Sequence, residues 1–388
     1  MDSRAPWGRR AVSPFESLPM PDPSRRPAPI PLTVLTGFLG AGKTTLLNRL
    51  LRDPALADTV VIVNEFGEVG LDHLLIETVD EGMILLGAGC LCCSVRGDLI
   101  ATLEDLLRKR DNGRIQPFRR VIIETTGLAD PAPILHGLLY HPYLALRFAL
   151  QAVVTVVDAV NGAGTLDAHP EALRQAAVAD RLVLTKTDLP GGEAAALRAR
   201  LAALNPAAPV LGPDAPAEAL LGGLFGTDGK IADVAAWLGA EAVAAAEARH
   251  HHAQHHGHHH HDLNRHDAAI RAFSLVSPEP VPRAAFEMFL DLLRSGQGAK
   301  LLRLKGLVGL AEDPGRPVVV HGVQHVVHAP ATLDAWPGPD RTSRLVLILR
   351  DGDPAFVRRL WDAFLGRPAP DAPDAAALTA NPLAIPGG

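Results

Sequence analysis

The chain has 388 residues, 47% of them hydrophobic, enough to bury more than one core, so two domains are expected. Thirty-seven basic against 43 acidic residues give a formal net charge of −6, which excludes the basic footprint that a general nucleic-acid or anionic-membrane surface needs. No apolar run approaches the ~18 residues of a membrane span, and the three cysteines all fall between positions 90 and 93, which excludes a disulfide framework and points to the cytoplasm, where thiols stay reduced.

Residues 1–30 are Pro- and Arg-rich with no continuous apolar stretch, and read as a disordered tail rather than a secretory leader. The first strand is predicted at Pro31–Thr36, a short apolar, β-branched run. It leads into Gly37-Phe-Leu-Gly40-Ala41-Gly42-Lys43-Thr44, a full match to G-x-x-x-x-G-K-[ST], with a helical segment from Thr44 to Leu51 behind it. Glycines at these places let backbone N–H groups curl around phosphate oxygens, and the following helix adds the favourable end of its dipole. Lys43 would neutralise the β- and γ-phosphates, and the Thr44 hydroxyl would face Mg²⁺.

A second strand is expected at Val60–Val63 and a third at Val121–Ile123. The third ends in Glu124-Thr-Thr-Gly127, where an acid at the end of a buried strand is the usual partner of Mg²⁺ and its waters, with Gly127 near the γ-phosphate. Two further strands, Val153–Val157 and Leu182–Leu184, follow, and the latter runs into Thr185-Lys186-Thr187-Asp188. Asp188 would accept two hydrogen bonds from the N1 and N2 edge of guanine, a pair adenine does not offer, while the Lys186 stem would cover the base. Guanine motifs of this kind usually begin with Asn, and this chain has Thr185. Short strands alternating with helical segments imply an α/β domain whose mostly parallel sheet is flanked by helices, with function at the carboxyl ends of the strands.

From about Ala194 the chain is Ala-rich and helical, with a further helix predicted at Ala232–Arg249. Residues 250–266 hold ten histidines in seventeen positions, a composition that forms no packed core. Apolar patterning resumes at Ile270–Val276. A helix at Arg283–Arg294, strands at Pro317–His321, Gln324–His328 and Arg344–Leu349, and a helix at Pro354–Leu365 then make a small α+β domain. The expected organisation is a P-loop domain over 31–245, a His-rich linker over 246–268, a second domain over 269–366 and a tail over 367–388.

The phosphate loop from Gly37 to Thr45, Asn64-Glu-Phe-Gly-Glu68, Gly89-Cys-Leu-Cys-Cys93, Glu124-Thr-Thr-Gly127 and Thr185-Lys-Thr-Asp188, in this order, closely resemble the CobW-type P-loop GTPases. The histidine-rich linker and the small second domain are similar to that family too. The resemblance covers roughly residues 31 to 365 and implies a SIMIBI-class GTPase domain followed by a CobW C-terminal domain. It also implies a metallochaperone-like role, usually with zinc, and with cobalt in the cobalamin-biosynthesis branch. Thr185 is the departure, and weakens guanine selectivity slightly.

Cys90, Cys92 and Cys93 are soft ligands suited to Zn²⁺. In an extended segment Cys90 and Cys92 share a side and Cys93 faces the other, so a turn is needed to bring all three together. Oxygen ligands would come from Glu65, Glu68 or Asp72, in the segment that by analogy senses the nucleotide, and Glu65 is also the candidate for orienting the attacking water. Buried structural cysteines, or a redox pair, are the alternatives. Arg96 and Asp98 either orient the cysteine loop or form surface ion pairs. The histidine tract would gather metal near the cysteines, while His321, His325 and His328 read as structural.

The expected activity is therefore Mg²⁺-dependent GTP hydrolysis coupled to zinc delivery to a client metalloprotein, with no nucleic-acid or membrane partner. A cobalt chaperone, a nucleotide-switched zinc buffer or sensor, and an ATPase with incidental cysteines are the rivals.

Overall fold

The computed structural model describes residues 28–64, 76–79, 83–88, 95–189, 194–222, 238–239, 243–244, 269–324, 326–327 and 330–367. The expected tails, most of the predicted helix at 232–249, the histidine tract, His325 and His328 lie outside the described residues.

In chain order the first domain runs β1 (Ile30–Gly37), α1 (Lys43–Leu50), β2 (Thr59–Asn64), β3 (Ile76–Val79), β4 (Met83–Ala88) and α2 (Val95–Asp111). It continues with β5 (Arg120–Glu124), α3 (Ala132–Tyr140), α4 (Pro142–Arg147), β6 (Phe148–Asp158), α5 (Gly162–Ala168) and α6 (Pro170–Val178). β7 (Arg181–Thr185), α7 (Ala194–Leu204), β8 (Val210–Leu211) and α8 (Ala217–Leu221) complete it. The strands form one sheet in the order β3-β4-β2-β5-β1-β6-β7-β8, in which β3 alone runs antiparallel to its neighbour.

β1 is central because both its faces are covered, which is why its sequence is continuously apolar rather than alternating. Val34 packs with Val60, Ile123 and Val153 under α2, α3, α6 and α7. Leu35 packs with Val61, Ile122 and Val154 on the opposite face, under Leu46, Leu47 and Leu50 of α1. The register sets Leu35 beside Glu124 on one flank and Gly37 beside Val156 on the other. The phosphate loop thus leaves the sheet between two carboxyl-terminal strand ends.

The second domain runs β9 (Ile270–Ser277), α9 (Arg283–Gln297), β10 (Leu301–Leu310), β11 (Asp313–Val323), β12 (Val326–Val327), β13 (Ala331–Thr332), β14 (Ser343–Arg350) and α10 (Pro354–Phe364). Its antiparallel sheet has the order β12-β11-β10-β14-β9, with β13 beside β11. Phe286, Phe289 and Leu293 of α9 and Val357 and Trp361 of α10 cover one face. Trp361 meets Phe289 edge-on at 4.9 Å, a contact whose loss on truncation to Ala costs about 3–5 kcal/mol. Asp353 caps α10 through the Ala355 N–H at 2.9 Å, with Pro354 opening the helix.

The strand β10 has no counterpart among the predicted elements. Leu-Leu-Arg-Leu-Lys-Gly-Leu-Val-Gly-Leu is buried along its whole length, with Leu304 and Val308 facing α9 and α10. Arg303 and Lys305 face the other way, into the first domain. The same seam brings Ile270, Leu302, Val323 and Ile348 into one apolar cluster with residues of the first domain. His136 Nε2 approaches Val323 O across it at 3.2 Å. The expected strand at Pro317–His321 is longer at both ends, running from Asp313 to Val323 with Pro314 inside it.

Candidate nucleotide site and metal loop

Gly37 ends β1 with φ 142°, and a Cβ there would overlap the Val156 carbonyl oxygen, so the turn into the loop accepts glycine alone. Lys43, 8% exposed, folds its ammonium back to Gly37 O at 2.9 Å and Phe38 O at 3.2 Å. These bonds hold the Lys43 ammonium at the mouth of the loop.

Thr44 lies in the first turn of α1, and its hydroxyl donates to Glu124 Oε1 at 2.8 Å. Glu124 is 4% exposed at the end of β5. A hydroxyl and a carboxylate brought together beside a phosphate loop are hard oxygen donors of the kind Mg²⁺ takes, so the residues present fit that ion. The Thr125 N–H donates to Leu35 O at 2.9 Å and its hydroxyl to Thr36 Oγ1 at 2.8 Å, which fix the start of the loop after β5. Gly127 then passes so close to the phosphate loop that a Cβ would lie 2.5 Å from Leu39 N.

The base motif is tied to the phosphate loop from the other flank. The Thr185 hydroxyl, at a 7% exposed position, donates to Ala41 O at 2.6 Å. Its link to the phosphate loop explains how Thr is accommodated where Asn is commoner. Lys186 adopts φ 57° and its ammonium meets Asp158 Oδ2 at 2.7 Å. Burial pushes the Asp158 carboxyl up, but hydrogen bonds from Lys186, Asn161 and the Val160 N–H outweigh it and hold the group below its ordinary range. Asp188 is exposed. Asp158 was not among the expected site residues, although its signal matches that of Glu124: an acid closing a buried apolar strand.

Gly37, Gly40, Ala41, Gly42, Lys43, Thr44, Thr45, Glu124, Gly127, Thr185 and Lys186 therefore gather at one edge of the sheet, with Asp188 beside them. Cys90, Cys92, Cys93, Glu65, Glu68 and Asp72 lie outside the described residues, as do the side chains of Arg96 and Asp98. The strand ends that lead to them are described. Asn64, where β2 stops, is paired with Ala88, where β4 stops, and Val63 is paired with Glu124. The chain thus enters the Glu65 segment and the cysteine segment from adjacent points, at the edge that carries Glu124. Among the described residues, no group of three or more His, Cys, Asp or Glu side chains is placed to hold a metal ion, and no helix is long and apolar enough to cross a membrane.

The description CobW/HypB/UreG, nucleotide-binding domain, matches residues 31–212, and the cobalamin synthesis protein cobW C-terminal domain matches residues 270–365. The zinc chaperone YjiA of Escherichia coli (strain K12) is 38% identical over 301 residues, which span 78% of this chain and 88% of that protein. This chain belongs to the CobW family. The zinc chaperone CobW of a Sinorhizobium species is 31% identical over 370 residues, 85% of this chain and 95% of its own length. The crystal structure of the Zn(II)-bound YjiA GTPase from E. coli superposes with a TM-score of 0.62 at 30% identity, covering 87% of this chain and 99% of that one. The expected P-loop α/β domain followed by a small α+β domain is the fold that YjiA shares.

Proposed function

We propose that this protein is a Mg²⁺-dependent GTPase that binds zinc and hands it to a client metalloprotein in the cytoplasm. The observation that carries this reading is the meeting of Thr44 with Glu124 beside Lys43, in a chain that belongs to the CobW family and resembles named zinc chaperones over most of its length.

Catalysis of this kind is mostly positioning and charge neutralisation. Lys43 and the loop N–H groups from Gly40 to Thr45 would hold the β- and γ-phosphates. Thr44, with Glu124 through its waters, would hold Mg²⁺, which supplies charge neutralisation at the phosphates. Gly127 would report the γ-phosphate, Lys186 would cover the base, and Asp188 would select guanine. Glu65 is proposed to orient the attacking water. Zinc is cargo, taken by Cys90, Cys92 and Cys93 with an oxygen from Glu65, Glu68 or Asp72. Support for that ligand set comes from the paired strand ends at Asn64 and Ala88, which launch both segments from one place. A metal shared between them would lose its geometry when the γ-phosphate leaves, which is a physical route from hydrolysis to release.

The test is turnover of GTP against ATP by the full chain and by Lys43→Ala. The reading expects a guanine preference, and no hydrolysis by the variant. Normal turnover by Lys43→Ala would sink the phosphate-loop assignment. A cobalt-handling version, favoured by the cobalamin-synthesis description of the second domain, is separated by comparing Co²⁺ and Zn²⁺ in the same binding assay, since the ligand types alone do not decide.

A further inference from the structure

α6 touches the phosphate-sensing loop, the β6 strand and the second domain at once, through one glutamine and one aspartate. Gln175 is 1% exposed. Its amide nitrogen donates to Gly127 O at 3.1 Å and to Ala129 O at 2.9 Å, using both N–H groups on the loop that follows Glu124. Its backbone oxygen accepts from the Thr155 hydroxyl at 2.7 Å, which pins the helix to β6. Two residues past the helix end, the Asp180 carboxylate takes Arg303 Nη2 at 2.6 Å, Lys305 Nζ at 2.9 Å and the Val153 N–H at 2.9 Å. Asn205 locks that end by donating to the carbonyls of Ala176, Ala177 and Ala179 at 3.0–3.1 Å. Between Gly127 and the second domain there is one side chain, less than two turns of helix and one carboxylate.

We propose that Gln175 is a positioning residue that holds the Gly127 loop in register with the nucleotide and transmits its position along α6 to the Asp180–Arg303–Lys305 junction with the second domain. This rests on the GTPase reading above and deepens it by naming the mechanical link. Gly127 has no slack against Leu39, so any shift of the loop toward or away from a γ-phosphate moves the two carbonyls that Gln175 holds. Gln175 Oε1 is buried and has no hydrogen-bond partner among the described residues. An amide flip would turn that oxygen onto the two carbonyls, so the amide orientation is fixed by them. The unmatched oxygen is a penalty that a second arrangement of the loop, presenting an N–H, would relieve. An element with two arrangements that both sites bias is what coupling between them requires.

The experiment uses the full chain and Gln175→Leu. It measures affinity for GDP and for a non-hydrolysable GTP analogue, and backbone hydrogen exchange across Leu301–Leu310 in each nucleotide state. The parent is expected to exchange differently there in the two states. The variant is expected to keep its GDP affinity, lose about tenfold in affinity for the analogue, within the usual span of allosteric coupling, and lose the exchange difference at β10. If the variant gives no cooperative thermal transition, Gln175→Asn, one methylene short of the two carbonyls, is read in its place with the same expectations. A variant that keeps the parent's affinity for the analogue or keeps the exchange difference overturns the proposal, as does a parent whose β10 exchanges identically in the two states. Failure of the parent to hydrolyse GTP would instead overturn the GTPase reading, so the two failures are told apart.

Discussion

Thr44 and Glu124 lie 80 residues apart in the sequence and meet at 2.8 Å, hydroxyl to carboxylate, at the carboxyl edge of the sheet. The register of β1 on β5 brings them to one edge, because Leu35 is paired with Glu124 and the phosphate loop begins two residues later. Replacing Glu124 by Gln keeps the shape and removes the charge. Turnover is expected to fall by about 10²-fold or more, as for loss of one preorganised electrostatic partner, and the Mg²⁺ concentration for half-maximal rate to rise. A magnesium titration of steady-state hydrolysis reads both, and an unchanged titration would remove Glu124 from the site.

Thr185 is a structural tie to the phosphate loop as well as the first residue of the proposed base motif. Thr185→Val preserves shape and leaves the buried Ala41 oxygen without this donor, a loss of about 1–3 kcal/mol. Thr185→Ser keeps the hydroxyl and should stay close to the parent. Urea midpoints and GDP affinity of the two variants provide the comparison; equal losses for Ser and Val would show that the methyl group, not the hydroxyl, is what matters.

The junction with the second domain carries a pH signature. Burial pushes Lys305 down to about 8, with Asp180 opposing the shift and Arg303 adding to it. Arg303 and Lys305 hold the Asp180 carboxyl far below its ordinary range despite burial. For Lys305 the unfolded chain keeps its proton up to the ordinary lysine value of 10.5 and the folded protein releases it near 8, so between these values the unfolded state binds more protons and stability rises with pH. Asp180 contributes stability that is present above its unfolded value of 3.8 and is lost only as strong acid protonates the folded carboxyl. The stability of the parent relative to Lys305→Met should therefore climb from pH 8 to 10.5. A difference that is flat or falling over that range contradicts a protonated Lys305 held at a cost in the seam.

The cysteine cluster makes a separate prediction. Cys92→Ser should weaken zinc binding far more than nucleotide binding, because a hydroxyl is a poor substitute for a thiolate on Zn²⁺. Equal zinc affinity in the variant would remove Cys92 from the ligand set.

What the sequence made legible was local. Gly37 to Thr44 carries its own strand, turn and helix start within a few residues, and Glu124 closes an apolar run that identifies itself. What it concealed depended on distant partners. Arg303 and Lys305 alternate with leucines and look like a solvent face, yet Asp180, 123 residues before Arg303, buries them. Gln175 sits in an Ala-rich helix with no neighbour in sequence to mark it, and its role appears only when Gly127 and Ala129 are brought beside it. Asp158 is legible in the same way as Glu124, since it ends Val153–Val157 as Glu124 ends Val121–Ile123.

The central claim is that the nucleotide state sets the hold on zinc. Its most direct test is zinc affinity by chelator competition on the full chain, with Mg²⁺ and a non-hydrolysable GTP analogue and then with GDP. The account predicts a difference of about tenfold or more, which is about 1.4 kcal/mol of coupling, together with a matching shift by zinc in the preference between the two nucleotides. Equal zinc affinities in both states would contradict it, leaving a GTPase with an uncoupled metal site.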